Sequence, residues 1–283
     1  MDVLNFISWI KNGQQVTTVD PTQTLIPLGL KDPRRDDGYR SGSITAQNFI
    51  NSVAPPAIVS VGNGTCSTVR TGLGNDAAGA CTTVFGRSNC TAFYITDSNI
   101  SGGVCNKVEG SISVVGGGCC NTINTSCGTI AGGRNNSSGG NGVFIGAGNN
   151  NSAAGQSSVV AGGSSNTVTG NCAFVGAGCF NINSAGASAI VAGMCNVASA
   201  DSNFIGAGCF NNLCNSSGRS AILGGMCNTS NNADTFILGS CITSNRVCTA
   251  FVNNLSIMNI PTSSAGLPSK AVWSNAGVLT IVP

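Results

Sequence analysis

Cysteines beside glycine-rich turns are the residues of this chain whose type and spacing could do chemistry. The segment CAFVGAGCFN, residues 172–181, has the look of a loop whose backbone N–H groups close on a phosphate, with thiols at hand for a metal or a disulfide. Thirty residues later SNFIGAGCFN, residues 202–211, says almost the same. A phosphate loop has no reason to recur, and neither phrase has the third glycine and following helix of a dinucleotide loop. The chain contains no histidine, which removes the commonest general base, the usual metal ligand and the partner of most serine and cysteine nucleophiles. Asp201 and Asp234 stand alone rather than as paired carboxylates. No catalytic, cofactor-binding or metal-binding residue is expected, no cofactor, and no enzyme.

Composition narrows the class. Of 283 residues 8% are charged, 5% are aromatic and 40 are glycine, which describes a chain that folds around a thin core. A net charge of +2 creates no field that would recruit nucleic acid or an anionic membrane, and no apolar run is long enough to cross a bilayer. Asn-x-Ser/Thr matches such as those at Asn63, Asn99 and Asn228 arise by chance in a sequence so rich in these residues. The opening MDVLNFISWIKNGQQ lacks the basic region and cleavage site of a signal peptide, so synthesis in a cytoplasm is expected.

Internal repetition explains the recurring phrase. Taking the second residue of each apolar pair gives Phe85, Ile100, Val115, Ile130, Ile145, Val160 and Val175, then Val191, Ile205, Leu223, Ile237 and Val252, mostly 15 apart. Arg70, with Val69, fills one more slot, for thirteen coils. Asparagine follows the slot by six residues at Asn106, Asn121, Asn136, Asn151, Asn166, Asn181 and Asn211, and by five at Asn196 and Asn228. Glycine and asparagine there read as turn residues. The expectation is an all-β solenoid with two or three short strands per coil, stacked at about 4.8 Å and rising roughly 60 Å.

Cysteines keep the same register. On these slots Cys119, Cys179, Cys195, Cys209, Cys227 and Cys241 form one ladder four residues on, and Cys90, Cys105 and Cys120 fall five residues on. A disulfide or metal array is one reading; the other is a small hydrophobe in a stack position held elsewhere by Arg134, Asn149 or Ser164. The second is preferred, with the thiols mainly free.

A narrow solenoid leaves one apolar face exposed, and such a face points to self-association. The phrases SSVVAGGSSNTVTG (157–170), SAIVAGMCNVAS (188–199) and RSAILGGMCNTS (219–230) resemble the S-V-A-x-G repeats of the YadA-type head. That head occurs in trimeric autotransporter adhesins and in fibre proteins of tailed phages and other viruses. The resemblance implies a left-handed parallel β-roll with three chains side by side. The 15-residue coil, in place of 14, and the cysteines depart from the family's pattern.

Two other modules flank the repeats of residues 57–255. Residues 1–56 hold KDPRRDDGYR, with seven of the 22 charges between Lys31 and Arg40. Arg34, Arg35, Asp36 and Asp37 are the candidate docking residues, Phe6 and Trp9 candidate interface residues, and Pro55 and Pro56 end the module. Residues 256–283 read as a β-hairpin cap. Their LPSKAVW and GVLTI resemble the LPSG-x-V-Y and G-x-L-x-I ending of many phage tail and fibre proteins, with Lys270 in place of glycine and Trp273 in place of tyrosine.

These readings converge on a structural virion fibre, of tail or collar, with host attachment as its role. The partners expected are further copies of the chain in a homotrimer, a virion docking protein, and a host-surface glycan or protein. The alternative is a cell-surface adhesin or extracellular filament subunit. A β-helical acyltransferase would need six-residue units and a catalytic histidine, and an ice-binding solenoid would need an in-phase threonine ladder.

Overall fold

The structure, a computed structural model, describes residues 25–31, 39–45, 59–71, 73–256 and 258–282. The chain divides into two units, Met1–Ile58 and Val59–Pro283. In the first, β1 (Leu25–Lys31) and β2 (Tyr39–Thr45) pair antiparallel, from Leu25 opposite Thr45 to Lys31 opposite Tyr39. The candidate docking residues Arg34, Arg35, Asp36 and Asp37, and Phe6 and Trp9, lie outside the described residues.

Two sheets run through the second unit, a long one of 14 strands and a short one of 11. One turn adds a two-residue strand to each. Val159–Val160 joins the long sheet and Thr167–Val168 the short one, and Phe174–Val175 begins the next turn. Pairing is parallel and in register at 15 residues, Val160 with Ile145 and Val175, Val168 with Ala153 and Asn183. The described residues contain no helix, and the fold is the expected all-β solenoid, with about twelve turns. The thirteen repeat slots are all strands of the long sheet, from Thr68–Arg70 to Ala250–Val252, and they enclose twelve turns; Val59–Val61 pairs antiparallel with Thr68–Arg70 and closes the N-terminal edge. Val272–Asn275 and Val278–Ile281 form a separate antiparallel hairpin around Ala276 and Gly277, both at positive φ.

A two-residue strand can bury one side chain and turn the other outward. From the long sheet Val84, Ile100, Val115, Ile130, Ile145, Val160, Val175, Ile190, Ile205, Ile222 and Ile237 face inward, all fully buried. Against them stand Val108, Ile123, Ala153, Val168, Ala198 and Leu213 from the short sheet. On three coils the buried residue is therefore one before the repeat slot, Val84 before Phe85, Ile190 before Val191 and Ile222 before Leu223. At the two ends the inward residue is Val69 rather than Arg70, and Phe251 rather than Val252, each packed against the core. In runs such as Ala-Ile-Val the middle residue points in and its neighbours out, so Val191 and Leu223 are each 43% exposed.

Asparagine does not turn the chain on the surface, as its type suggested. Counted from the buried residues Asn196 and Asn228 also fall at six, and the ten asparagines of this ladder, from Asn89 to Asn228, are at most 1% exposed. The left-handed backbone belongs to the preceding residue, with φ of 58° at Cys120, 54° at Asn135 and 57° at Asn150. That conformation swings the asparagine into the interior, where it bonds across coils. Asn166 Nδ2 donates to Gly162 O at 3.1 Å, Gly178 O at 3.0 Å and Asn151 Oδ1 at 3.2 Å. Its Oδ1 accepts from Asn181 N at 3.0 Å and Asn181 Nδ2 at 3.1 Å. Each asparagine thus joins three successive coils and satisfies backbone groups that the turn would otherwise strand.

Among the described residues one buried side-chain polar atom has no partner, Ser138 Oγ. Ser138 stands in the short-sheet column between Ile123 and Ala153. Ser138→Ala is expected to stabilise the protein by about 1 kcal/mol, because it removes an unpaid desolvation without opening a cavity. A higher urea midpoint at unchanged slope would show it; a lower midpoint would mean the hydroxyl is bonded.

Candidate association surface

The residue before each inward one in the long sheet points to solvent. Phe144, Phe174, Phe204 and Phe236 occupy this position on every second coil, each 37–41% exposed, with Val159, Ala189 and Ala221 between them. The residue after the inward one is glycine on three of the phenylalanine coils, Gly146, Gly176 and Gly206, and Val191 or Leu223 on coils between. A Cβ at Gly176 would meet the Phe174 ring at 3.2 Å, and at Gly146 or Gly206 the neighbouring ring at 3.5 Å. The rings therefore lie along their own strands, over the glycines, and the face alternates broad and small side chains in two rows.

From Val114 to Leu238 no outward residue of the long sheet is charged. The apolar surface continues round the trailing corner, where Phe180 and Phe210 alternate with Met194 and Met226, all 41–58% exposed. At about 4.8 Å per coil the stripe is about 40 Å long, and it covers several hundred Å², the upper range of what a monomer leaves exposed. The short sheet presents Thr122, Ser137, Ser152 and Thr167 at the matching outward positions. Ile182, Val197 and Asn212 take these positions on the next coils, so the short-sheet face is hydroxylated over four coils and mixed beyond them, whereas the long-sheet face is apolar throughout this stretch except at Thr129.

Cysteines line the corners on either side of the long sheet. The single ladder of six resolves into two columns, because the inward residue is one earlier on the coils of Cys195 and Cys227 and the coil of Cys241 is one residue shorter between inward Ile237 and that column. Cys119, Cys179 and Cys209 lie in the bridging column with Arg134, Asn149, Ser164 and Met194. Cys195, Cys227 and Cys241 lie one residue further on, with Cys105 and Cys120, in left-handed conformation. A third column at the leading corner holds Cys66, Cys81, Cys127, Cys172 and Cys248, also left-handed. All fifteen are unpaired thiols at exposed or half-buried positions of the stack. Cys90, read as five after its slot, is in the short-sheet strand Cys90–Thr91. No signal in the sequence distinguished the columns, since the two assignments differ by one residue.

Among the described residues no group of three or more histidine, cysteine or acidic side chains could hold a metal ion. The two isolated carboxylates clip neighbouring coils. Asp201 Oδ1 accepts from Gly186 N at 2.7 Å. Asp234 takes a two-pronged hydrogen bond from Arg219, Nε to Oδ1 and Nη2 to Oδ2, both 2.8 Å. That bond holds the Asp234 carboxyl below its ordinary range and raises Arg219. Neither forms a catalytic pair. No family model matches the chain, and no curated protein matches it.

Proposed function

We propose that the chain is a structural, non-enzymatic fibre protein whose solenoid works as three copies packed side by side, the arrangement of the YadA-type head it resembles. The observation that carries this reading is the uncharged outer face of the long sheet, apolar and alternately broad and small over about 40 Å. A monomer would gain nothing from setting four phenylalanines in phase on a solvent-facing sheet. A packed neighbour would, since each ring and the small residue on the next coil offer a projection and a recess. In this reading the fibre belongs to a virion, as the resemblance of the C-terminal LPSKAVW segment suggests. Residues 1–56 dock it to the particle, and the polar faces left free meet a host-surface glycan or protein.

Native mass measurement of the purified chain at micromolar concentration is expected to give three chains. The double variant Phe174→Asp, Phe204→Asp should run as a monomer with an unchanged β circular-dichroism spectrum. Each buried unpaired carboxylate costs about 3 kcal/mol or more, which is a hundredfold or more in association. A wild-type chain that stays monomeric would overturn the assembly, and a trimer untouched by the double variant would place its interface elsewhere.

A further inference from the structure

Ten of the fifteen cysteines have left-handed backbone, with φ between 49° and 59°. This is a conformation that asparagine, aspartate and glycine adopt at low cost and that cysteine has no special tolerance for. Asn135, Asn150, Asp97, Asp234 and Gly142 hold the same columns on other coils, and so do Ile112, Phe180, Phe210 and Arg219, so the conformation by itself does not select cysteine. Burial does not explain the cysteines either, since Cys66, Cys81, Cys105, Cys120, Cys227 and Cys241 are all exposed. What sets these six apart is order. They are the cysteines that follow one another in a single column on adjacent coils: Cys66 with Cys81, Cys105 with Cys120, and Cys227 with Cys241. Hydrogen bonds from the upper member to the lower coil fix the register, Cys81 N to Thr65 O at 2.7 Å, Cys120 N to Val104 O at 2.9 Å and Cys241 N to Met226 O at 2.8 Å. In such a stack the Cα atoms lie about 4.8 Å apart, inside the range of roughly 4.4–6.8 Å that a disulfide spans. In the central coils Cys127, Cys172, Cys179, Cys195 and Cys209 have no cysteine above or below them in their own column.

The geometry points to an oxidative modification site of three parts: Cys66–Cys81, Cys105–Cys120 and Cys227–Cys241 close into intrachain disulfides by exchange with a low-molecular-weight disulfide and tie the outer coils of the solenoid to their neighbours. One cysteine thiolate attacks a sulfur of the small disulfide, forming a mixed disulfide and releasing one small thiol. The thiolate of the second cysteine attacks the protein sulfur of that bond and releases the other small thiol. Two protein thiols are oxidised, and the small disulfide, which takes the electron pair, is reduced. A one-dimensional stack frays from its ends, and that is where the first and last of these pairs lie. The bonds are within one chain and independent of how many chains associate. The Cys81 thiol is held above its ordinary range by local desolvation, then by Cys66 and Asp97, and Cys120 chiefly by its hydrogen bond with Cys119. Exchange should therefore quicken as pH rises through and above the usual thiol range.

The full chain, reduced and then equilibrated with oxidised glutathione at mildly alkaline pH, should be alkylated and digested with trypsin without reduction. Peptides 41–70 and 71–87 should appear joined, as should 88–107 and 108–134, and peptide 220–246 should be lighter by two hydrogens, with the other nine cysteines alkylated. In Cys66→Ser, Cys81 should instead retain glutathione as a stable mixed disulfide. Each pair stands or falls on its own link. Lasting glutathione on both members, links between chains, or a bond between Cys119 and Cys120, whose sulfurs are 3.2 Å apart, would overturn the pair concerned. So would free thiols under conditions that cross-link the unfolded chain.

Discussion

Gly178→Ala is expected to cost about 4 kcal/mol or more and to unfold the coils around it. Gly178 has a φ of 96°, and a Cβ there would stand 1.9 Å from the carbonyl oxygen of Gly193 on the next coil. That oxygen accepts from Cys179 N at 3.0 Å and from Asn181 Nδ2 at 2.9 Å. Accommodating the methyl group means lifting the next coil by more than an ångström, and both bonds break together. Because coils pair in register above and below, the displacement cannot be absorbed by one loop. Gly132 is the control: a Cβ there meets nothing within 4 Å and its φ lies outside the left-handed region. Gly132→Ala should change stability by no more than about 0.5 kcal/mol. Urea unfolding followed by circular dichroism compares the two, and equal midpoints would refute the close-approach argument.

Asn166→Ala should be the second most damaging change, at about 2–4 kcal/mol. Removing the amide does not leave every partner bare. Gly178 O keeps its bond from Ser164 N, and Asn151 Oδ1 keeps its bond from Asn166 N. Two groups lose their bond, the N–H of Asn181 in the interior and the half-buried carbonyl of Gly162, and a stranded buried group costs roughly 1–3 kcal/mol. Asn150, one residue before a ladder member, is exposed with a φ of 57°. Asn150→Gly should therefore be neutral within about 0.5 kcal/mol. The same denaturation measurement separates the two asparagines, which look alike in the sequence. Equal losses would mean that the ladder contributes no more than a surface turn does.

The sequence by itself determined the period, the solenoid class and the absence of a histidine-based site. These follow from composition and from spacing along the chain, and stacking the coils in register cannot change them. Residues whose neighbours left no choice, such as Ile130, Ile145 and Val160, were legible as the inward set. Three-residue runs were not: in Ala189-Ile190-Val191 either apolar residue satisfies an alternating pattern, and only the packed cross-section shows that Ile190 is buried and Val191 exposed. That slip of one, with the shorter coil before Cys241, merged two cysteine columns into a single ladder. Asparagine was misassigned for a related reason. Its type indicates a turn, but whether its amide points to water or to the stack depends on the left-handed residue before it and on carbonyls 12 and 15 residues away. The apolar stripe is likewise a product of stacking, since Phe144, Phe174, Phe204 and Phe236 are about thirty residues apart in the chain and two coils apart in space. Local spacing sets what repeats, whereas burial, hydrogen-bond closure and shared faces are properties of adjacent coils and exist only once the chain has wound.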